Sequence, residues 1–435
     1  MSAATIVVAS FCFVALPAPT SRAMPASQPQ LRPTASFAAS RPPLRPQLSA
    51  AGGTADEESA PSKKPINPYL VLSALVLLFV SNQWARNLPS FLVAFDAAGQ
   101  AGRTGRELMN IALNFDAQQY GLLVSYGFTL LYVACSFPAG IVCDIFSRKS
   151  VLLASAFGWS AATATAAAAQ TYNQLLAGRV LLGMTQAFSG PAAHTLISTT
   201  FPPHRRATAN AIYTSGIYLG AALASISVIL ATSIGWRATC LCVALATAPP
   251  AILLSFALPN DTPAAAPAAK SSTAAATPAA PPASATASSG FGRVLSVASV
   301  RWLLAGVTCR LFAGFAIGAW AAPYYRSAFP SRAREYAILN ALIVAGGGTF
   351  AAVGGGVLAD RLSADSAAGG AAGGAAGSGE ANKALLPIVG ALTAIPFWLL
   401  AIQSSHFGLS MFALLCTYLA AETWYVTSPL MSRRP

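Results

Sequence analysis

The chain has 435 residues and a net charge of +13, yet only 9% of its residues are charged and 55% are hydrophobic. A soluble domain averages about 25% charged residues, so this composition excludes a soluble globular protein and indicates a polytopic membrane protein. In such a chain an excess of Lys and Arg reports loop topology, so the positive charge does not predict nucleic-acid binding.

Residues 1–60 have the composition of a targeting leader or a disordered segment rather than of a folded domain. The apolar run Ile6–Leu16 is too short to cross a bilayer, and no acidic residue precedes Asp56. Acid-poor leaders with Ser and Arg are typical of organelle transit peptides, and an apolar run in front of one resembles the leaders of complex plastids. We therefore predict a transit peptide and a plastid envelope or other plastid membrane. The alternative is a disordered tail on a protein of the plasma membrane or an endomembrane.

Apolar segments then alternate with short polar turns, which predicts an all-α polytopic helix bundle. Asp116, directly before one such segment, is a predicted helix N-cap. The Ala/Pro/Ser-rich stretch 260–292 is a predicted linker between 68–259 and 300–430. Ten membrane segments are predicted, near 68–95, 118–142, 150–169, 173–199, 207–233, 235–259, 301–323, 336–358, 385–403 and 407–430. The inside loops carry most of the Lys and Arg if the N-terminus is inside.

One polar turn, between the second and third segments, carries a distinctive pattern. Gly140 is followed by Asp144 and then by the adjacent cations Arg148 and Lys149. Glycine lets helices approach closely, and the charged groups suit the aqueous interface. A shorter echo in the second half consists of Gly356, Asp360 and Arg361.

This turn resembles the loop signature of the major facilitator superfamily, Gly-x-Leu-Ala-Asp-Arg-x-Gly-Arg-Arg/Lys. It departs from that signature at Ile145 and Ser147. The resemblance implies two pseudo-repeated six-helix halves, of which this chain supplies six helices and four, so we expect a truncated gene model or fragment. It also implies that Gly140, Asp144, Arg148, Lys149 and their echo form a gating loop.

The fourth segment carries a stripe of small and polar residues on one helical face. Its members are Arg179, Gly183, Gln186, Gly190 and His194. Arg179 and Gly183 also resemble the fourth-helix signature of the family. We interpret the stripe as cavity-lining. The alternatives are an Arg179 that reaches the interface and a His194 that is a buried structural residue instead of a proton carrier.

The first segment places Asn82, Arg86 and Pro89 on one face, and an arginine this deep in an apolar run indicates a functional site. Related spinster-like lipid transporters have Asp before this Arg, and that acid is tied to proton coupling. Here the position is Ala85, so that proton site is not expected.

The second half offers Arg310 in the seventh segment and Tyr418, Glu422 and Tyr425 on one face of the tenth. Arg310 is either a cavity cation or an interfacial anchor. Glu422 is either the protonatable group or a structural partner for one of the arginines.

Three predicted cavity cations, Arg86, Arg179 and Arg310, face a single predicted cavity acid, Glu422, and this balance favours an anionic ligand. The sequence shows no catalytic constellation, no metal-ligand spacing and no phosphate-binding glycine loop, so we predict neither an enzyme nor a cofactor.

Our leading hypothesis is a secondary active transporter of a small organic or phosphorylated anion, coupled to a proton or another ion and working by alternating access. Three further stretches resemble the spinster-like and anion-transporting branches: Phe201–Arg206, Gly216-x-x-x-Gly220 and Gly235-Trp-Arg237. The alternatives are a spinster-like carrier of lysolipids or sphingoid lipids, and a non-transporting sensor or degenerate relative.

Overall fold

A computed structural model describes residues 67–96, 100, 102–258, 296–351 and 378–422. All of them belong to one compact unit. The predicted leader and the predicted linker lie outside these residues. So do Gly356, Asp360, Arg361 and Tyr425.

The described residues form helices and turns without a strand, which confirms the predicted all-α class. The helices of the first half are α1 (Pro68–Asn87), α2 (Met109–Leu113), α3 (Ala117–Val124), α4 (Tyr126–Ile145), α5 (Arg148–Ala168), α6 (Tyr172–Gln186), α7 (Ser189–Thr200), α8 (Pro203–Thr214), α9 (Gly216–Ile234), α10 (Trp236–Leu245) and α11 (Ala248–Ala257). Those of the second half are α12 (Ala298–Ala328), α13 (Ala333–Leu342), α14 (Ser378–Gln403) and α15 (Phe407–Ala421). A 3-10 turn, Leu88–Phe91, extends α1, and a π-helical segment, Ile343–Gly348, extends α13.

Six helical stretches in the described part of the chain are long and apolar enough to cross a membrane. They are Pro68–Phe91, Ala117–Ile145, Arg148–Ala168, Arg205–Ile234, Trp236–Ala257 and Val300–Ala328. The other predicted segments are also helical, but they are interrupted or shorter: the fourth divides into α6 and α7, and the ninth and tenth contribute the apolar helices Ile388–Gln403 and Phe407–Ala421. The division into six and four membrane segments stays a prediction.

Polar turn residues begin several of the helices. The Asp116 carboxylate accepts a hydrogen bond from the Gln119 backbone N–H, and the Gln119 side chain accepts one from the Asp116 N–H. This capping box confirms the predicted N-cap. Asn67 and Ser147 cap α1 and α5 in a similar way. Such caps satisfy N–H groups that would be costly to leave unpaired at the membrane surface.

The bundle has two ends, which we name from the predicted orientation. The outer end carries the loop between α1 and α3, and the inner end carries the turn between α4 and α5. At the outer end the Trp236 backbone N–H and indole N–H donate to the carbonyls of Arg106 (2.9 Å) and Gly105 (3.0 Å). Gly235 has φ +88°, a conformation that favours glycine. The Gly235-Trp-Arg237 stretch thus anchors the outer loop.

The first half contains the larger core, which includes Leu75, Leu123, Trp159 and Trp236. A second cluster joins the two halves, because Phe91 and Val228 pack there with Tyr325 and residues of α13 and α15. Hydrogen bonds reinforce this joint: the Ser225 hydroxyl donates to the Ala337 carbonyl, and the Asn340 amide donates to the Ser225 hydroxyl, both at 3.0 Å. Helices α9 and α13 are therefore in direct contact and connect the two halves.

Candidate functional site

The site begins with a close approach of α4 and α6. A Cβ added to Gly183 would lie 2.2 Å from the Phe128 carbonyl oxygen, so only glycine permits this spacing. Gly127 similarly faces Leu176. The close approach places the Phe128 ring beside Arg179, which lies one turn before Gly183 on α6.

Arg179 is buried, with 4% of its surface exposed. Its Nη2 donates to the Arg86 carbonyl at 3.1 Å and its Nη1 to the Ala85 carbonyl at 3.4 Å. Its Nε has no hydrogen-bond partner among the described residues. Arg179 therefore lies inside the bundle rather than at the interface, and it fastens α6 to the last turn of α1.

Arg86 is partly buried and surrounded by aromatic rings. Its guanidinium carbon lies 4.4 Å from the centre of the Phe128 ring and 5.3 Å from each of the Tyr132 and Phe315 rings. These distances are typical of cation–π contacts. Because Phe315 belongs to α12, Arg86 lies at the joint between the two halves.

Asn82 and Gln186 complete this group, and both are buried, at 3% and 2% exposure. The Gln186 Nε2 donates to the Asn82 carbonyl at 3.1 Å. The Asn82 Nδ2 and the Gln186 Oε1 have no hydrogen-bond partner among the described residues. Buried polar atoms are rarely left unpaired, so these atoms are available to a ligand or to water. We call Asn82, Arg86, Arg179 and Gln186 the central polar group.

A second charged arrangement connects three helices. Arg310 Nη2 forms an ion pair with Glu422 Oε1 at 3.2 Å and donates to the Ala421 carbonyl at 3.2 Å. The Tyr218 hydroxyl donates to Glu422 Oε2 at 3.0 Å. We call Tyr218, Arg310 and Glu422 the carboxylate bridge, because it joins α9 of the first half to α12 and the end of α15. Tyr418 lies one turn before Glu422 on α15 and is partly buried.

His194 lies apart from the central polar group. Its side chain is exposed, and its Nδ1 lies 3.0 Å from Asn210 Oδ1 on α8. The predicted stripe is interrupted at Ala187 and Phe188, where α6 ends and α7 begins. Pro191 has no backbone N–H and cannot continue the hydrogen-bond ladder across this break.

The predicted gating loop of the first half, between α4 and α5, contacts the end of α11. Lys149 is buried, and its Nζ donates to the carbonyls of Ser255 (2.7 Å) and Leu258 (2.6 Å), at the end of α11. Asp144 is exposed, and Arg148 is partly buried. A Cβ added to Gly140 would meet nothing within 4 Å, so the expected close helix approach is not formed by the described residues.

Arg326 was not among the predicted site residues, because it lies beyond residue 323, the predicted end of the seventh segment. The side chain is 2% exposed at the end of α12, between the two halves. The available signal was the apolar run through Ala321–Tyr325, which extends the helix past the expected end at 323. Among the described residues, no group of His, Cys, Asp and Glu could hold a metal ion.

A family model described as Major Facilitator Superfamily matches residues 75–432. The chain belongs to the major facilitator superfamily. This finding confirms the family that the turn at 140–149 indicated. The superfamily is one of membrane transporters rather than enzymes, and it identifies the chain as a multi-pass integral membrane protein.

Two curated relatives are similar over short stretches. "Probable anion transporter 2, chloroplastic" of Oryza sativa subsp. japonica is 35% identical over 123 residues, which is 26% of this chain and 23% of the relative. The "D-galactonate transporter" of Escherichia coli is 33% identical over 95 residues, 22% of each protein. The matched stretches thus span about a quarter of these relatives' lengths.

A solved structure has the same fold. It is a bacterial homologue of the human lysosomal transporter Spinster, in an inward-facing and unoccupied conformation, with a TM-score of 0.64 and 20% sequence identity. The match covers 85% of this chain and 76% of that protein.

Proposed function

We propose that this member of the superfamily is a secondary active transporter of a small organic or phosphorylated anion. The observation that carries the proposal is the buried guanidinium of Arg179, whose hydrogen-bond acceptors are two neutral carbonyls and whose Nε has no partner among the described residues. Neutral carbonyls do not cancel the charge of a buried cation, so the central polar group favours an anionic group close to Arg179.

The polar atoms around Arg179 support one class of substrate. The unpaired amide nitrogen of Asn82 suits an acceptor and the unpaired amide oxygen of Gln186 suits a donor. A carboxylate or phosphate near Arg179 with a hydroxyl near the two amides would satisfy the group. A sugar acid has both kinds of group, and the names of the two relatives, an anion transporter and a D-galactonate transporter, support this class.

Alternating access requires contacts between the halves that can break. The carboxylate bridge and the Arg86–Phe315 contact both cross the joint between the halves. We infer that the halves rock about the joint and that protonation of Glu422 releases Arg310, which would couple a proton to transport. Tyr418 and Tyr425 would line the same side of the cavity, and Asp144, Arg148 and Lys149 would stabilise a closed inner end.

The test is uptake into liposomes that contain the purified full chain. Radiolabelled D-galactonate, D-glucuronate and glycerol 3-phosphate are compared, with and without an inward proton gradient. Arg86→Ala and Arg179→Ala should lose uptake. Arg332→Gln is the matched control, because it removes a cation whose side chain is 52% exposed at the outer end. Absence of uptake for all three anions would overturn the proposal and favour the non-transporting alternative.

A groove supports the lipid-carrier alternative. It has a volume of about 410 Å³, opens to the side between α4 and α6, and is lined mostly by apolar residues: Leu131, Asn173, Leu176, Ala177, Val180, Leu181 and Met184. An acyl chain fits such a surface, whereas a small hydrophilic anion does not. Uptake of a fluorescent lysolipid that D-galactonate does not inhibit would favour this alternative over the anion.

We further propose a plastid membrane as the location. The acid-poor leader over residues 1–60 and the chloroplastic relative support it. A fusion of residues 1–60 to a fluorescent protein should enter plastids in a plastid-bearing cell, and retention of the fusion in the endomembrane system would contradict the assignment.

A further inference from the structure

Arg326 occupies an unusual place for a cation. It lies in the last turn of α12 and is almost fully enclosed by the outer ends of the two halves. Its Nη2 donates to the Phe91 carbonyl, at the end of the 3-10 turn that follows α1. This hydrogen bond crosses from the second half to the first, and a neutral carbonyl is its acceptor.

The remaining nitrogens of Arg326 are not satisfied. Both Nε and Nη1 are buried without a hydrogen-bond partner among the described residues. A buried guanidinium has five N–H donors, and leaving several of them unpaired is costly because they have lost their water. A buried guanidinium of this kind is stabilised when an anion accepts hydrogen bonds from its unpaired N–H groups.

A second cation with the same deficiency lies nearby. Arg103, in the outer loop of the first half, also has a buried Nη1 without a partner among the described residues. Arg103 lies close enough to Arg326 for the two positive charges to repel each other. Glu107 is an acidic residue of the same loop and attracts Arg326. The outer joint therefore holds an excess of positive charge and several unpaired donors.

We infer that Arg326 and Arg103 form an outer anion-binding site that is separate from the central polar group. Its ligand is a small anionic group, either an inorganic anion from solution or the carboxylate of an organic anion. Because Arg326 belongs to the second half while Arg103 and Phe91 belong to the first, a bound anion would hold the outer ends of the halves together. This inference does not depend on the chain transporting anything.

The position of the site distinguishes it from the central polar group. Phe91 follows Arg86 by more than one helical turn toward the outer end, and the outer loop that carries Arg103 is fastened to α10 through Trp236. Other contacts close the same end: the Tyr120 hydroxyl donates to the Ala319 carbonyl at 2.7 Å, and the Tyr120 and Trp320 rings lie 5.2 Å apart. An anion bound there would be enclosed by both halves.

The experiment measures thermal unfolding of the purified full chain in detergent at constant ionic strength. In one arm chloride replaces the bulky anion isethionate, and in the other D-glucuronate replaces it. Stabilisation by chloride identifies an inorganic anion as a ligand, and stabilisation by D-glucuronate alone identifies a carboxylate. The variants are Arg326→Gln, Arg326→Lys, Arg103→Gln, Arg86→Gln and the matched control Arg332→Gln.

We expect at least one anion to raise the Tm of the wild-type protein, because a ligand that binds only the folded state stabilises it. Arg326→Gln and Arg103→Gln should weaken the apparent anion affinity by about 10-fold or more, the loss expected for a charge-assisted hydrogen bond. Arg332→Gln should keep the wild-type affinity. If Arg326→Gln does not fold, Arg103→Gln and Arg326→Lys provide the same comparison.

Two results would overturn the site. One is a wild-type Tm that responds to neither anion. The other is an anion response that survives in Arg103→Gln and Arg326→Lys but disappears in Arg86→Gln, which would assign the anion to the central polar group. Failure of liposome uptake with an intact chloride response would leave this site standing while removing the proposed transport function.

Discussion

Arg179 and Arg310 are the same side chain in two opposite electrostatic settings. Arg179 is nearly fully enclosed and donates to two backbone carbonyls, whereas Arg310 is partly buried and forms an ion pair with the Glu422 carboxylate. The charge of Arg310 is therefore neutralised within the protein, and the charge of Arg179 is not neutralised by its carbonyl partners. An arginine in a membrane segment can thus either present charge to a ligand or connect two helices, according to the partner that the fold brings to it.

Arg179→Ala tests the contrast between the two arginines most directly. We expect uptake of the transported anion to fall by about 100-fold, because two charge-assisted hydrogen bonds and the positive charge are lost together. The measurement is the initial rate of liposome uptake at a fixed protein-to-lipid ratio, with monodispersity of the purified protein as the control for folding. An Arg179→Ala protein that transports at the wild-type rate would show that the charge of Arg179 serves packing alone.

Alanine substitutions of two glycines, each one helical turn from one of these arginines, test the packing around them. Gly183→Ala should lower the free energy of unfolding by about 1–3 kcal/mol, because the new methyl group would overlap the fixed Phe128 carbonyl, 2.2 Å away. Gly314→Ala is the matched control beside Arg310: its nearest neighbour is the Arg310 Nη1, 3.0 Å away, at the end of a flexible side chain. Thermal unfolding in detergent measures both, and equal losses for the two variants would contradict the close packing of α4 and α6.

Glu422→Gln tests the other side of the comparison. The neutral amide keeps a hydrogen-bond acceptor for Tyr218 but removes the charge that holds Arg310. We expect anion binding to strengthen by up to about 10-fold, since Arg310 then becomes available to the ligand, and the stimulation by a proton gradient to disappear. Uptake with and without that gradient measures both effects. Unchanged gradient dependence would place the coupling group elsewhere.

Tyr218→Phe should have the mildest consequence of these changes. This change removes one hydrogen bond to Glu422 and keeps the aromatic ring. We therefore expect the free energy of unfolding to fall by about 1 kcal/mol, or the rate of uptake to change by about five-fold. Tyr213→Phe on the neighbouring helix α8 is the control, because the Tyr213 ring packs on Phe79 at a centroid distance of 4.5 Å. If both variants lose the same amount, the bridge to Glu422 contributes nothing specific.

Much of the architecture could be predicted because it depends on local patterns. The helical segments, the Asp116 cap and the superfamily signature at 140–149 each depend on residues close together in sequence, and the structure and the family match confirm them. The site could be predicted in part. Asn82, Arg86, Arg179 and Gln186 stand out because polar residues are rare in apolar helices, and the structure brings all four together. His194 was predicted to share a face with Arg179 on the assumption of one continuous helix. The helix is interrupted between α6 and α7, just before Pro191, so the two residues do not follow a single helical period.

Local sequence patterns were sufficient to assign this protein to the α-helical membrane proteins of the major facilitator superfamily and to locate several arginines inside its helices. The partner of each arginine became visible only in the packed arrangement of the helices. The partners are far apart in the chain: Glu422 lies 112 residues from Arg310 and 204 from Tyr218, and Phe91 lies 235 residues from Arg326. Helical periodicity specifies the face of a helix on which a residue lies, but the neighbour of that face is set by the packing of all the helices together.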